Sequence, residues 1–330
     1  MPDDPKPGEP GHNPNGEPGH GNDKPFDGVT RLYIRTNPAD DGTEPLPSTL
    51  AFWTSPDISI VKPGGAVGGE AVPLEVNQVK VTVTNGGGIP AVDAYVDAFV
   101  ADPSTGITPA TAFSVGGDYV TVQAYSTADV YLPWTPQASD SGHRCVVARV
   151  SLIAPLDSYV DPTVFDVVGD RHVAQRNIQV LEVAQGQKMS FRFLVGTREA
   201  AGRAVLRTVE RTFEMDARQL AKMGGCEGGL GAKVPLADLG VRLLTARETL
   251  QRPTLAAEVP VALGITRLRD TAGFAAEVGG RLESEKQRYG AVTFAVSPDD
   301  EPGRLHAFDV VHLDEKGEVV GGLSFIVRVV

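Results

Sequence analysis

The stretch Val79–Asp102, VKVTVTNGGGIPAVDAYVDAFVAD, constrains the fold more than any other part of this chain. Val79, Val81 and Val83 alternate with Lys80, Thr82 and Thr84, and a period of two sets the valines on one face of a pleated strand and the polar residues on the other. Asn85-Gly86-Gly87-Gly88 follows, and because these residues tolerate positive φ a tight turn is expected there, which makes the stretch a hairpin. Alternation resumes with Val92, Ala94, Val96, Ala98 and Val100 against Asp93, Tyr95, Asp97, Phe99 and Ala101, so Asp93 and Asp97 are expected in solvent. Asp102-Pro103 ends the second strand, since proline has no amide hydrogen to give a ladder. Strands with one apolar and one wet face suit an antiparallel sheet.

The same pattern recurs. Val29–Thr36 reads as a first strand or docking segment. Leu50–Trp53 leads into Ser55-Pro56-Asp57-Ile58, then Ile60 and Val61; Tyr119–Tyr125, Ala128–Trp134, Cys145–Leu152 and Ile178–Val183 read as short strands between turn residues, with Ile178–Val183 closing a sandwich that spans residues 28–184. Ala184–Gln187 is a short joint. Beyond it, Met189–Val195, Val241–Leu244, Ala257–Ile265 and Ala291–Val296 read as strands of a second sandwich over residues 185–330. In Ala204–Met215, Leu206, Val209 and Phe213 have helical spacing, while Val205, Val209 and Phe213 fit a strand face; the β-branched content favours strand. Asp216–Lys222 fits one helical turn, and Ala275–Arg288 leaves a short helix open. Leu305–Leu313 and Gly322–Val329 flank Asp314-Glu315-Lys316-Gly317, a hairpin turn with glycine where positive φ is needed. High Gly and Pro with only 6% aromatic residues agree with turn-rich β structure.

Residues 1–27 form a Pro/Gly-rich tail expected to be disordered, with GEPGH at Gly8–His12 and again at Gly16–His20. His12 and His20 are weak metal donors in a solubilising segment. The net charge of −12 argues against nucleic acid and anionic membranes, both of which require a positive field. No apolar run reaches the ~20 residues of a membrane span, so no membrane insertion is expected. Met1-Pro2-Asp3-Asp4 is acidic with no apolar region behind it, so no signal peptide is expected. That leaves the cytoplasm, export by another route, or a numbering that starts after processing.

Chemistry-bearing residues are few. His143 and Cys145 lie two apart on one strand face, with Asp140 nearby, but two ligands do not make a zinc site, and a small buried cysteine beside Trp134 is the plainer expectation. A bridge between Cys145 and Cys226 stays open. Ser141 and His143 lack a nucleophile elbow. The glycine-rich loop Gly64–Gly69 lacks the Lys-Ser/Thr ending of a phosphate loop. Asp299-Asp300-Glu301 and Asp157 with Asp161 carry oxygens suited to calcium, against the plainer reading of solvated turn carboxylates. Tyr119, Tyr125, Tyr131 and Trp134 form the only aromatic cluster a glycan would use. On a strand His306 and His312 share a face while Asp309 takes the other, which disfavours a three-ligand site.

Ser55-Pro56-Asp57-Ile58, the strand ending Val83-Thr84-Asn85 before glycines, Pro90-Ala91 ahead of a strand that runs to Asp102-Pro103, Trp134, Gly142–Val150 (GHRCVVARV) and Ala174-Gln175-Arg176-Asn177 together resemble bacterial CARDB-type immunoglobulin-like modules over residues 50–184. The resemblance implies a seven-stranded sandwich of adhesive and surface-associated proteins, implies an extracellular setting, and carries no catalytic residue. The expected fold is therefore all-β: two tandem Ig-like or fibronectin-like antiparallel β-sandwiches after a disordered tail. The expected function is a non-enzymatic structural or binding module that engages a protein partner or cell-surface polymer through sandwich edges and loops, without a cofactor and with self-assembly left open. The alternatives are part of a secreted hydrolase, with His143 and Cys145, or a calcium-dependent carbohydrate-binding module, with Asp299 and Asp300.

Overall fold

A computed structural model of the chain describes residues 25–47, 51–137, 144–195, 202–210, 236, 238–243, 266–270, 273–282 and 288–330. The described residues contain no helix and form four sheets. The first comprises β1 (Leu32–Tyr33), β2 (Ile58–Val61), β3 (Val67–Gly68), β4 (Asn77–Asn85) and β7 (Ser126–Trp134); the second comprises β5 (Ala91–Ala101), β6 (Phe113–Val122), β8 (Cys145–Leu152), β9 (Asp157–Ser158) and β10 (Val173–Arg176). They face each other across a core that joins Ile58, Val79, Val81, Val83, Val130 and Leu132 to Ala94, Val96, Ala98, Val146, Ala148 and Val150. The third sheet comprises β11 (Ile178–Val183), β13 (Gly202–Glu210), β15 (Thr266–Asp270), β16 (Gly273–Leu282), β18 (Leu305–Leu313) and β19 (Val319–Val329); the fourth comprises β12 (Lys188–Val195), β14 (Asp238–Leu243) and β17 (Arg288–Ala295). Phe193, Val292 and Phe294 of the fourth sheet meet Leu206, Phe308, Val310, Leu323 and Phe325 of the third. Phe308 and Phe325 stack at 4.8 Å between centroids, which anchors this second core.

The alternation in Val79–Asp102 places its strands correctly, but the stretch is not a hairpin. β4 pairs with β1, β2 and β7, while β5 pairs with β6 and β8, so the chain arches from one sheet to the other and the two apolar faces oppose each other across the core. The glycines serve close approach rather than positive φ. A Cβ on Gly87 would strike the Val29 carbonyl, and one on Gly88 the Asp27 carbonyl. Asn85 ties the arch together: its Oδ1 accepts from Arg31 N (3.1 Å) and Gly87 N (2.9 Å), and its Nδ2 donates to Ile89 O (2.8 Å). A bulge between Ala91 and Ala94, with Asp93 at φ 58°, shifts the alternation so that Ala91 is buried and Val92 exposed. Asp93 faces solvent as expected, but Asp97 does not: it is buried and holds Arg149 through two bonds of 3.1 and 2.5 Å.

Three further expectations change. Ile178–Val183 does not close the first sheet pair; it lies parallel to β19 in the third sheet, a pairing that its long sequence separation permits and a short loop would not. Within Ala275–Arg288, residues 275–282 continue strand β16 rather than a helix. In Ala204–Met215 the strand reading holds for residues 204–210; the rest, with Asp216–Lys222 and Ala257–Ile265, lies outside the described residues. The expected turn at Gly317 is present, with φ 83°. Pro25–Asp27, at the foot of the expected tail, is already folded against the arch through a Gly88 N to Phe26 O bond of 2.9 Å; the remainder of the tail, with His12 and His20, lies outside the described residues.

Candidate functional site

β8 is buried on both faces, because Val146, Ala148 and Val150 face the first core while Cys145 and Val147 face a separate layer with Phe52, Trp53, Phe165 and Val167. Cys145 is therefore buried as expected but not beside Trp134, which belongs to the opposite face. It is a free thiol whose Sγ donates to Asn177 Oδ1 at 2.7 Å, and burial pushes its pKa up to about 12. Asp140, Ser141, His143 and Cys226 lie outside the described residues.

The acidic candidates separate by environment. Asp299 is exposed. Asp300 is fully buried, with Oδ1 on Arg304 Nη1 at 2.6 Å and Oδ2 on His306 Nε2 at 2.8 Å. His306, Asp309 and His312 take three different partners: Asp300, the Ser324 hydroxyl at 2.5 Å, and the Thr105 hydroxyl at 3.1 Å. Burial pulls the His312 pKa down to about 4, so its ring is neutral. Asp161 is an exposed turn carboxylate bonded to Thr163. Asp157 is not: it is buried in a charged network that sequence reasoning missed.

In that network His172 lies between two carboxylates, Nε2 at 2.8 Å from Asp157 Oδ1 and Nδ1 at 2.8 Å from Asp170 Oδ1. Arg171 joins Asp157 and Glu44, each at 2.6 Å. Asp157 Oδ2 also accepts from Leu32 N at 2.6 Å, so the cluster pins β1 to the loop that covers β8. Burial opposes the charged imidazole, but the two carboxylate bonds outweigh it and raise the His172 pKa. Glu44, Asp170 and His172 bring donor atoms within 4.8 Å of one another, yet Arg171 and the imidazolium already supply the balancing charge. The signal available in sequence was the charged run Asp170-Arg171-His172 wedged between apolar segments. Under the same loop, Arg149 stacks on Phe99 at 4.7 Å and Tyr159 at 4.5 Å while it holds Asp97.

The aromatic candidates do not form one cluster. Tyr119 packs on Tyr95 at 5.1 Å, Tyr125 bonds Asp27, Tyr131 lies near Lys80, and Trp134 is buried. Trp134 floors a hollow of about 520 Å³ walled by Thr111, Phe113, Gln137 and the Arg144–Asp102 ion pair. At the arch end of the first sheet pair, Phe26, Val29, Ile89, Ile153 and Leu156 are exposed on adjoining loops, and Val92 is exposed at the start of β5.

The other end of that sheet pair is closed by the third sheet. Buried Asn177 donates from Nδ2 to Ser104 O (2.7 Å) and Gly322 O (2.9 Å), and its backbone bonds Trp53 O and Ser324 N. Trp53 Nε1 donates to Ser324 Oγ at 3.0 Å, which in turn donates to Asp309. Gly321 and Gly322 leave no room for a Cβ, the first against the Thr105 carbonyl and the second against the Trp53 indole.

No family model matches the chain, and no curated protein does. Among solved structures it is similar to the CARDB domain of a Pyrococcus furiosus protein, at 15% identity over 33% of this chain and 77% of that one, with a TM-score of 0.22. A solution structure of the same domain gives 16% identity, 36% and 90% coverage and a TM-score of 0.22. The collagen adhesin of S. aureus gives 7% identity, 82% and 91% coverage and a TM-score of 0.24. Likeness of this degree does not place the chain in a family.

Proposed function

We propose that this chain is a non-enzymatic structural or binding module, built as two sandwich units, that engages a protein partner or a surface polymer through sheet edges and end loops. The observation that carries this reading is where the reactive side chains of the described residues go. Cys145 is spent on Asn177, His172 on Asp157 and Asp170, His306 and Arg304 on Asp300, and His312 on Thr105, all of them buried. Groups held this way stabilise a scaffold and are closed to a substrate. The surface left for recognition is backbone at the edges and apolar side chains on loops, where binding commonly resides.

The test is affinity purification of the tagged full-length protein from its native source, with cytoplasmic, envelope and released fractions kept apart. A partner, protein or polymer, that co-elutes at fixed stoichiometry is expected. The proposal fails if no fraction yields one, or if a turnover activity is found that Cys145→Ala or His143→Ala abolishes with the fold intact.

A further inference from the structure

Resting on that reading, and naming where it acts, we propose that the free edge of β6 takes an extended, basic and apolar segment of another protein as an added strand. Among the described residues β6 pairs only with β5, which leaves one side of a ten-residue strand without a ladder partner. The N–H of Tyr119 is met by the carboxylate of its own neighbour, Asp118 Oδ1, at 2.8 Å. Tyr119 N–H therefore points away from β5, and by the alternation of an antiparallel ladder so do those of Gly117 and Thr121. A row of outward donors and acceptors on a long strand is a template for another chain.

The other edges of this sheet pair are blunted. β7 carries Pro133 and the Lys80–Asp129 ion pair, β3 has two residues, and β10 is covered by a Thr54–Arg176 bridge and a Ser55 N to Gln175 O bond of 3.1 Å. β6 has no proline, lysine or arginine. It exposes Phe113 (68%) and Tyr119 (65%), and Gly116 leaves an open place for a side chain from a neighbouring strand, while the Tyr95 ring already covers Gly117.

Charge selects the occupant. The one ionisable side chain on β6 with a formal charge is Asp118, exposed at mid-strand, on a chain of net charge −12. A strand that alternates apolar residues with Lys or Arg satisfies both Asp118 and the aromatic positions. The chain's own tail does not fit: Pro2, Pro5, Pro7, Pro10, Pro14 and Pro18 withhold the donors a ladder requires. A second copy of β6 paired antiparallel about Asp118 brings the two carboxylates opposite each other, which like charges oppose.

The probe is a displayed library of random twelve-residue peptides selected on the full-length protein. Enriched peptides are expected to alternate apolar and basic residues and to slow amide exchange of Gly117, Tyr119 and Thr121, read by NMR. Thr121→Pro removes an outward N–H and is expected to weaken binding about tenfold or more, the loss of at least one charge-free ladder bond at a hot spot. Asp118→Lys is expected to weaken the same peptides by a similar factor, and it serves if Thr121→Pro does not fold. The inference is overturned if nothing is enriched, if the slowed amides lie elsewhere, if neither variant matters, or if β6 is protected by self-association before peptide is added. Peptides that map to the end loops overturn β6 as the site and leave the binding-module reading standing; a purification without partner overturns that reading itself.

Discussion

At His172 both ring nitrogens face carboxylate oxygens at 2.8 Å, so the geometry calls for the doubly protonated ring. Glu44, Asp157, Asp170 and Arg171 are the charged groups around it. Its pKa is raised above 6.5, so its contribution to stability is full below that value and is lost as pH rises through the folded value. Asp157 and Asp170 are lowered from 3.8, despite the opposing effect of burial, by hydrogen bonds to His172; their contribution is present above 3.8 and is lost as pH falls through the folded values. The urea midpoint should therefore decline as pH rises above 6.5, and His172→Gln should remove that decline while it costs about 3 kcal/mol at pH 6. A midpoint of the variant with the same alkaline slope would remove His172 as its cause. Cys145, raised to about 12, should resist alkylation at pH 8 in the native protein and react only after unfolding, which mass spectrometry of the labelled peptides decides.

At the scale of the element, the arch between β4 and β5 depends on backbone contact. Gly87 passes so close to Val29 that a single methyl has nowhere to go. Gly87→Ala should lower stability by about 1–3 kcal/mol, seen as a lower melting temperature, whereas Gly64→Ala, where φ is 87° but nothing crowds the site, should cost less. The alternation of Val79, Val81 and Val83 was legible because period two is a local property of the chain. Whether the next strand pairs beside it or crosses over was not, because either arrangement buries the same valines. Asp97 was misplaced for a related reason: alternation marks it as outward, and only the loop carrying Tyr159 and Phe165 turns that outward face into a second interior.

For the whole molecule, the seam around Asn177 joins the first sheet pair to the third sheet through buried hydrogen bonds. A single cooperative thermal transition is expected. Asn177→Ala leaves the carbonyls of Ser104 and Gly322 and the Cys145 thiol without their partner, at about 1–3 kcal/mol for each group left unsatisfied. That variant should split the melt into two transitions and broaden the intraparticle distance distribution in X-ray scattering. A variant that still melts in one step, with unchanged scattering, would show that the seam does not couple the halves.

The amino-acid sequence by itself determined the all-β class, most strand positions, the Gly317 turn and the burial of Cys145, because these follow from side-chain period, turn chemistry and the preference of a small thiol for the interior. Only the tertiary structure decided that Ile178–Val183 joins β19, that Asp157, Asp170 and His172 converge, and that Asn177 locks the seam. Those contacts join residues far apart in the chain. Their energies depend on burial and on partners that no local pattern encodes, and a carboxylate reads the same in sequence whether it meets water or a buried imidazolium.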